Sequence, residues 1–331
     1  MRGSTLAEWL VEQGIGEVRA ALIDGGKILQ TRVERDGDGH LPGARVAARL
    51  IDAHARLART SDGQELLLTH RPDLSEGRDF TAEIRRAAIT EAGLVKRATA
   101  VAVDGPPAPL PPMAERLAMD GHAVRMLAAH EADALETAGW SELWAEAAGG
   151  LIPFTGGLLR LSLTPAMVVF DIDGNAPPGD LARGGAAAAA ATILRMGLGG
   201  GIIIDCPRVA DKAARAGIDA AFDDGWRAGH GGHFERTATS GFGLLHIIVP
   251  RAMPSMAARA IFDRVGSAAI ALLRRAERAR GAGALRLHAH PAVIDWLAAR
   301  DALTGELAAR TGRPVTLSSA HELAMEAGHA Q

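Results

Sequence analysis

Along the first hundred residues, apolar and polar positions alternate with a period of two. In GEVRAALIDGGKILQTRVER (Gly16–Arg35), Val18, Ala20 and Leu22 alternate up to an Asp-Gly-Gly turn, and a second alternating run follows. That pattern predicts a β-hairpin, with DGDGHLPG after it as a loop. From Ala44 to Val103 the runs stay short: RVAARLID, ARLARTS, QELLLTH, DFTAEIRRAAI and VKRATAVAV, divided by turn signals such as SDG and SEG. Five short strands without a long helical period predict a small closed barrel of OB type. DGPPAPLPP (Asp104–Pro112) can be neither helix nor central strand and marks a boundary.

Beyond it the period changes. Helices are predicted around Met113–Met119 and Glu131–Ala148, then strands in GGLIPFTGGLLRLSLTPAMVVFDID. LARGGAAAAAATILRMG is rich in alanine, the best helix former, and predicts a helix. LGGGIIIDCP reads as a buried strand, VADKAARAGIDAAFDDGWRAG as a helix and FGLLHIIVP as a strand. The rest alternates helix (Arg251–Arg280), strand (ALRLHAH), helix (Ala292–Thr311) and strand (PVTLSS). The fold class expected is α/β (α+β).

Composition narrows the picture. The 331 residues are 48% hydrophobic, which suits two or three globular units, and no apolar run approaches the length that spans a bilayer. MRGSTLAEWLVEQGIGEVRA lacks an apolar signal core and carries Glu8 and Glu12, so no membrane partner and a cytoplasmic location are expected. Cys206 is the single cysteine, which leaves no disulfide within the chain and no structural zinc held by thiolates. The net charge is −3, and Lys27, Lys96 and Lys212 are the only lysines. Arginine suits bidentate phosphate contacts, although a GC-rich coding genome gives the same bias. Near-neutral charge argues against a nucleic-acid binder that uses its whole surface but permits a local positive groove.

The chemistry concentrates at VVFDIDGN (Val168–Asn175) and IIIDC (Ile202–Cys206). A strand, a crossover helix and a second strand place the two strands parallel, each a continuous apolar run as for strands buried on both faces. Each ends in an acid, Asp171 and Asp205. If the strands are neighbours, both carboxylates emerge at the carboxyl edge, where open α/β sheets bind ligands. Two such acids repel unless a cation lies between them. Mg²⁺ is the natural ion, being commonly held by one or two carboxylates with water and phosphate, and Mn²⁺ is the alternative. Asp173 shares the face of Asp171 by the period-two rule. The competing reading makes these acids turn or cap residues, Asp173 before Gly174 above all.

VVFDIDGN also resembles the first motif of haloacid-dehalogenase-like phosphatases, with Asp171 as nucleophile and Asp173 as general acid. Against this, half the chain precedes the motif, Asn175 stands where that family has threonine, and the next strand ends in Asp205. Among the histidines, His230 and His233 lie in a GHGGH loop without further ligands. His288 and His290 share one strand face, and His246 stands near the acidic edge with a packing role as its alternative. Arg274, Arg275, Arg278 and Arg280 give a helix end a basic face, which an RNA contact and ordinary dipole and solvent preferences explain equally well. Cys206 reads as a small buried hydrophobe.

The ordered set of motifs resembles the ribonuclease E/G family over most of the chain. EVRAALIDGGKILQTRVER is similar to that family's opening strands, and the barrel stands where it inserts an RNA-binding OB barrel. LWAEAAGGLIPFTGGLLRLSLTPAMVVFDIDGN resembles its glycine-rich hairpin, Thr-x-Ala turn and Asp-x-Asn metal motif. MGLGGGIIIDCP, TSGFGLLHI and LRLHAHPAVIDWL resemble its later motifs in order. The resemblance implies an RNase H-like unit (1–37 with 104–146) and an OB barrel (38–103). It further implies a DNase I-like catalytic unit (147–259) and a small C-terminal α/β unit (260–331).

It also implies Mg²⁺-dependent endonucleolytic cleavage of single-stranded RNA, with Asp171 and Asp205 as metal carboxylates and Asp173 in the place of the motif's asparagine. An RNA-binding relative with weak or no activity is the alternative. The family's basic residue before Phe-Gly-Leu is Gly241 here, its two-cysteine zinc link between protomers is absent, and the region for sensing a 5′-monophosphate is short. A homodimer is expected, if at all, through the C-terminal unit. In the barrel the expected RNA contacts are Phe80, the one aromatic between Asp38 and Val103, with Arg85, Lys96 and Arg97; His246 joins them from the catalytic unit.

Overall fold

The computed structural model describes residues 7–91 and 93–331. The chain opens with β1 (Glu8–Gln13), β2 (Glu17–Asp24) and β3 (Lys27–Arg35). Next come β4 (Arg45–Asp52), β5 (Leu57–Thr60), β6 (Glu65–Leu68), β7 (Asp79–Arg86), β8 (Ile89–Glu91), β9 (Leu94–Lys96) and β10 (Ala98–Val103). After the proline-rich boundary follow α1 (Met113–Met119), β11 (Val124–Leu127), α2 (Ala134–Thr137) and α3 (Trp140–Gly149). The central run is β12 (Leu151–Phe154), β13 (Gly157–Leu163), β14 (Val168–Gly174), α4 (Pro178–Met196), β15 (Gly200–Asp205), α5 (Lys212–Ala228), β16 (Glu235–Arg236) and β17 (Leu244–Val249). The chain closes with α6 (Met256–Phe262), α7 (Arg264–Glu277), β18 (Leu285–Ala289), α8 (Pro291–Ala298), α9 (Asp301–Thr311), β19 (Val315–Ser319) and β20 (His329–Ala330). Among the described residues no helix is long and apolar enough to cross a membrane.

Two compact units form. One takes the residues up to Asp36, Leu117–Ser141 and Arg259–Gln331; the other takes Gly37–Arg116 and Glu142–Ala258. In the first, a sheet runs β11-β1-β2-β3, with β11 parallel to β1 and the other pairs antiparallel. One face of this sheet is charged yet buried. Glu12 and Arg19 are cross-strand partners, and Arg19 bridges Glu12 at 2.6 Å and Asp133 at 2.5 Å while lying over the Trp140 ring. Glu17 takes Arg35 at 2.9 Å and Arg274 at 3.0 Å, and Arg278 reaches Glu12 at 2.6 Å. Of the four arginines expected to face solvent at this end of α7, Arg274 and Arg278 therefore turn inward and keep only 14% and 17% of their side-chain exposure, while Arg275 and Arg280 are exposed as expected. An interior carboxylate requires a partner, and the exposed surface supplies none. In the same unit α7, α8 and α9 enclose an apolar cluster with β18, centred on Leu272, Leu273, Leu285, Leu287, Leu297 and Leu307.

The second unit holds the barrel, closed in the order β10-β6-β5-β4-β7. Its inward positions are Ala48, Leu50, Ala58, Leu66, Leu68, Ala82, Ile84, Ala98 and Ala100, and charged residues alternate outward from them. Small alanines among leucines let so few strands close without a void. The β8–β9 hairpin is tied to the segment after β17: Glu91 pairs with Arg251, and the Ala87 amide donates to the Ala252 carbonyl at 2.9 Å.

A six-stranded sheet in the order β12-β13-β14-β15-β17-β16 completes this unit. Helix α4 begins with Pro178, whose missing N–H costs nothing in a first turn, and stops at Gly197 in the left-handed region (φ 62°). Its alanines and glycines give close approach to the sheet. A methyl on Gly185 would stand 2.5 Å from Ile172 Cδ1, and one on Gly225 of α5 would stand 2.9 Å from the Ala187 carbonyl oxygen. Helix α5 packs along α4, so both helices lie on the same side of the sheet. The strands were expected to be buried on both faces. Instead Phe170, Ile172, Ile202, Ile204, Leu245 and Ile247 are buried on one face, while Asp171, Asp173, Asp205 and His246 are exposed on the other. Burying each of those large side chains stabilises by roughly 1.5–3 kcal/mol, and one covered face is sufficient to hold the sheet.

Candidate active site

The open face carries the polar side chains of this sheet. Strands β14 and β15 are parallel neighbours, and Asp171 and Asp205 are register partners. Neighbouring strands lie about 4.8 Å apart, so the two carboxylates leave the sheet side by side. Both are exposed. Period-two alternation produces this arrangement: Phe170, Ile172 and Ile204 must face α4, which directs Asp171 and Asp205 outward.

Arg160 on β13 is the cross-strand partner of Asp171, and its guanidinium donates to Asp173 Oδ2 at 2.5 Å. That hydrogen bond, with the charges of Asp173 and Asp171, raises the Arg160 pKa above its ordinary value. Asp173 is thus held by a cation belonging to the chain. Sequence reading missed Arg160; it is the one charged residue in the alternating GLLRLSL of β13, and the hairpin register alone places it against Asp171. His246 is the register partner of Ile203 and stands exposed on the same face, one step diagonal from Asp205.

The carboxyl end of β15 runs into a fixed loop. The Cys206 amide donates to the Gly243 carbonyl at 3.0 Å, and the Ser240 hydroxyl accepts from the amides of Phe242 and Leu244 at 3.3 and 3.2 Å. Gly243 has φ 89°, and a methyl there would stand 2.4 Å from the Cys206 carbonyl oxygen. Phe242 is carried outward on this loop, and Arg208 lies over its ring at 5.9 Å. The loop that carries Gly241 and Phe242 thus has a guanidinium beside it, supplied by the segment that follows β15. Cys206 is buried, and burial, reinforced by the charges of Asp205 and Asp219, pushes its thiol up to about 12.

Helix α5 anchors the far side of this loop. Asp219 accepts from the Thr239 amide and hydroxyl at 2.9 and 2.6 Å, and Arg236 forks onto Asp223 at 2.7 and 2.6 Å. Trp226 donates to the Gly232 carbonyl at 2.8 Å and packs on Phe234, which closes the GHGGH segment onto the helix. Among the described residues no group of three or more His, Cys, Asp or Glu is placed to hold a metal ion. The donor set here is the carboxylate pair, a number that suits Mg²⁺ with water and phosphate completing its shell.

The barrel residues lie apart from one another in role. Phe80 packs half-buried against the barrel core. Arg85, Lys96 and Arg97 are exposed, and each pairs with a barrel carboxylate: Glu83 at 3.0 Å, Glu91 at 2.5 Å and Glu65 at 2.6 Å. Ten Lys and Arg face nine Asp and Glu between Asp38 and Val103, so the barrel's net charge of +1 gives little attraction for a polyanion. No protein-family model matches the chain, and no curated protein matches it.

Proposed function

We propose that this chain is a divalent-metal-dependent endoribonuclease of the ribonuclease E/G type, acting on single-stranded RNA. The observation that carries the reading is the register of β14 and β15, which puts Asp171 beside Asp205 on the exposed face of a sheet. The topology supports it further. Three antiparallel strands with a fourth parallel to the first are consistent with an RNase H-like unit. The barrel closes through a parallel β6–β10 pair, the OB-type order. The six-stranded sheet with α4 and α5 on one side suits a DNase I-like unit.

Asp171 and Asp205 would hold the ion, Mg²⁺ or alternatively Mn²⁺. When bound, such an ion activates water and offsets the charge developing on a phosphodiester. The remaining groups act directly. The Arg160 guanidinium neutralises Asp173, so the excess negative charge is confined to the Asp171–Asp205 pair. His246 offers a hydrogen-bond donor for a phosphate oxygen on the same face. A cytoplasmic location accords with this role.

A second reading has one observation in its favour. Arg160 already supplies a cation against Asp173 and near Asp171, which suits an RNA-binding relative with little or no cleavage. Cleavage of a labelled, unstructured RNA oligonucleotide separates the two. The nuclease reading expects internal cuts with Mg²⁺ or Mn²⁺, none with chelator, and a loss of roughly 10²-fold or more in Asp171→Asn and in Asp205→Asn. RNA retained intact by the wild type with both ions would sink it and leave the binding reading.

A further inference from the structure

Among the described residues, Phe242 is the one Phe or Trp ring left largely in solvent, 71% exposed. Ordinary packing does not account for it. In the same unit Phe222, Trp226 and Phe234 pack on one another. Phe242 is instead kept outside by its backbone. Ser240 receives two amides of the turn, the Gly243 amide donates to the Ser240 carbonyl at 3.0 Å, and the Gly243 carbonyl is tied to Cys206. Cys206 directly follows Asp205, so the ring is fixed at the same strand end as the carboxylate pair. Arg208, from that strand's loop, covers one side of the ring at 5.9 Å, within cation–π range. The rest of the ring stays open.

We propose that Phe242 and Arg208 form a stacking platform for one unpaired nucleobase of a single-stranded RNA, seated beside Asp171 and Asp205. An aromatic face takes any base, which gives grip without strict sequence preference, and the adjacent guanidinium meets the phosphate of the same nucleotide. The platform also explains how a strand could be gripped in a protein whose Arg85, Lys96 and Arg97 are already paired with carboxylates. This inference rests on the ribonuclease reading for its substrate class, but not on cleavage.

The test uses the full chain in chelator, with an RNA oligonucleotide carrying a single 2-aminopurine, read by anisotropy and by 2-aminopurine quenching. Wild type should bind and quench. Phe242→Ala should bind roughly tenfold more weakly and lose the quench, and Phe242→Trp should restore both. Arg208→Ala should weaken binding and lower the slope of log affinity against log salt by about 0.7, the loss of one phosphate contact. Wild-type affinity and quench in Phe242→Ala would overturn the platform. Asp171→Asn in parallel separates the two ideas. If Asp171→Asn still cuts while Phe242→Ala loses its quench, the nuclease site is wrong and the platform stands. If Asp171→Asn is dead and Phe242→Ala quenches normally, the platform falls alone. A wild type that binds no RNA overturns both.

Discussion

Cys206 illustrates how a single residue's neighbours decide its chemistry. It lies next to Asp205 in sequence, yet its side chain faces the helices, and its thiol is pushed up to about 12 by burial first and by nearby carboxylates second. A thiol with so high a pKa remains protonated and unreactive at pH 8. Iodoacetamide at pH 8 should leave Cys206 unmodified in the native protein and alkylate it fully in denaturant; mass spectrometry reads both states. That small buried role was legible from one cysteine at the end of an apolar run. So were Asp171 and Asp205, because strand alternation and a parallel crossover bring them to one edge. Arg160 and Phe242 were not. Nothing local in GLLRLSL says which acid its arginine will oppose, since that depends on hairpin register. Nor does TSGFGLLHI say that its phenylalanine stays in solvent, since that depends on a turn tied to the next strand.

At the scale of elements, strands with clean alternation and the alanine-rich helix were readable, and the interruptions were not. The helix expected over Glu131–Ala148 is two, α2 and α3, broken at Gly139 with φ 97°. The long C-terminal helices also divide, α6 from α7 at Asp263 and α8 from α9 at Ala299–Arg300, there without a left-handed residue at the break. Strand β1 escaped notice because EWLVEQ buries a glutamate, which hides the period. That strand belongs to the charged layer in which α7 docks on β2 and β3. Burial pushes the Arg274 guanidinium down to about 10, with the charge of Arg19 adding to the shift and Glu17 opposing it. Removing one member of a buried ion pair typically costs 3–5 kcal/mol, because the partners are left charged and unpaired. Glu17→Gln should therefore destabilise the first unit by about 3 kcal/mol, seen as a lower midpoint in urea unfolding followed by tryptophan fluorescence. A variant with unchanged midpoint would mean that α7 docks without this pair.

Taken whole, the molecule divides its charges unevenly between surface and interior. Burial raises the carboxyls of Glu17 and Asp133, but the surrounding arginines more than offset it, and both are held below their ordinary values. A carboxyl whose folded pKa is depressed contributes stability that is complete above the unfolded value, about 4, and is lost as pH falls through the folded one. Thermal melts should thus hold steady from pH 7 to about pH 5 and fall steeply below pH 4, with the first unit leading. A midpoint that begins to drop near pH 6 would point to histidines instead. The division of the chain itself has a further consequence. The first unit draws on three separated stretches and the second on two, so the polypeptide passes between them four times. During synthesis the second unit has every part it needs once Ala258 is made. The first must leave β1, β2 and β3 without α7 until the stretch beyond Arg259 has emerged, with Glu12, Arg19 and Glu17 meanwhile solvated. The interior charges then keep an unfinished sheet wet, when a wholly apolar face would expose it to aggregation on the ribosome.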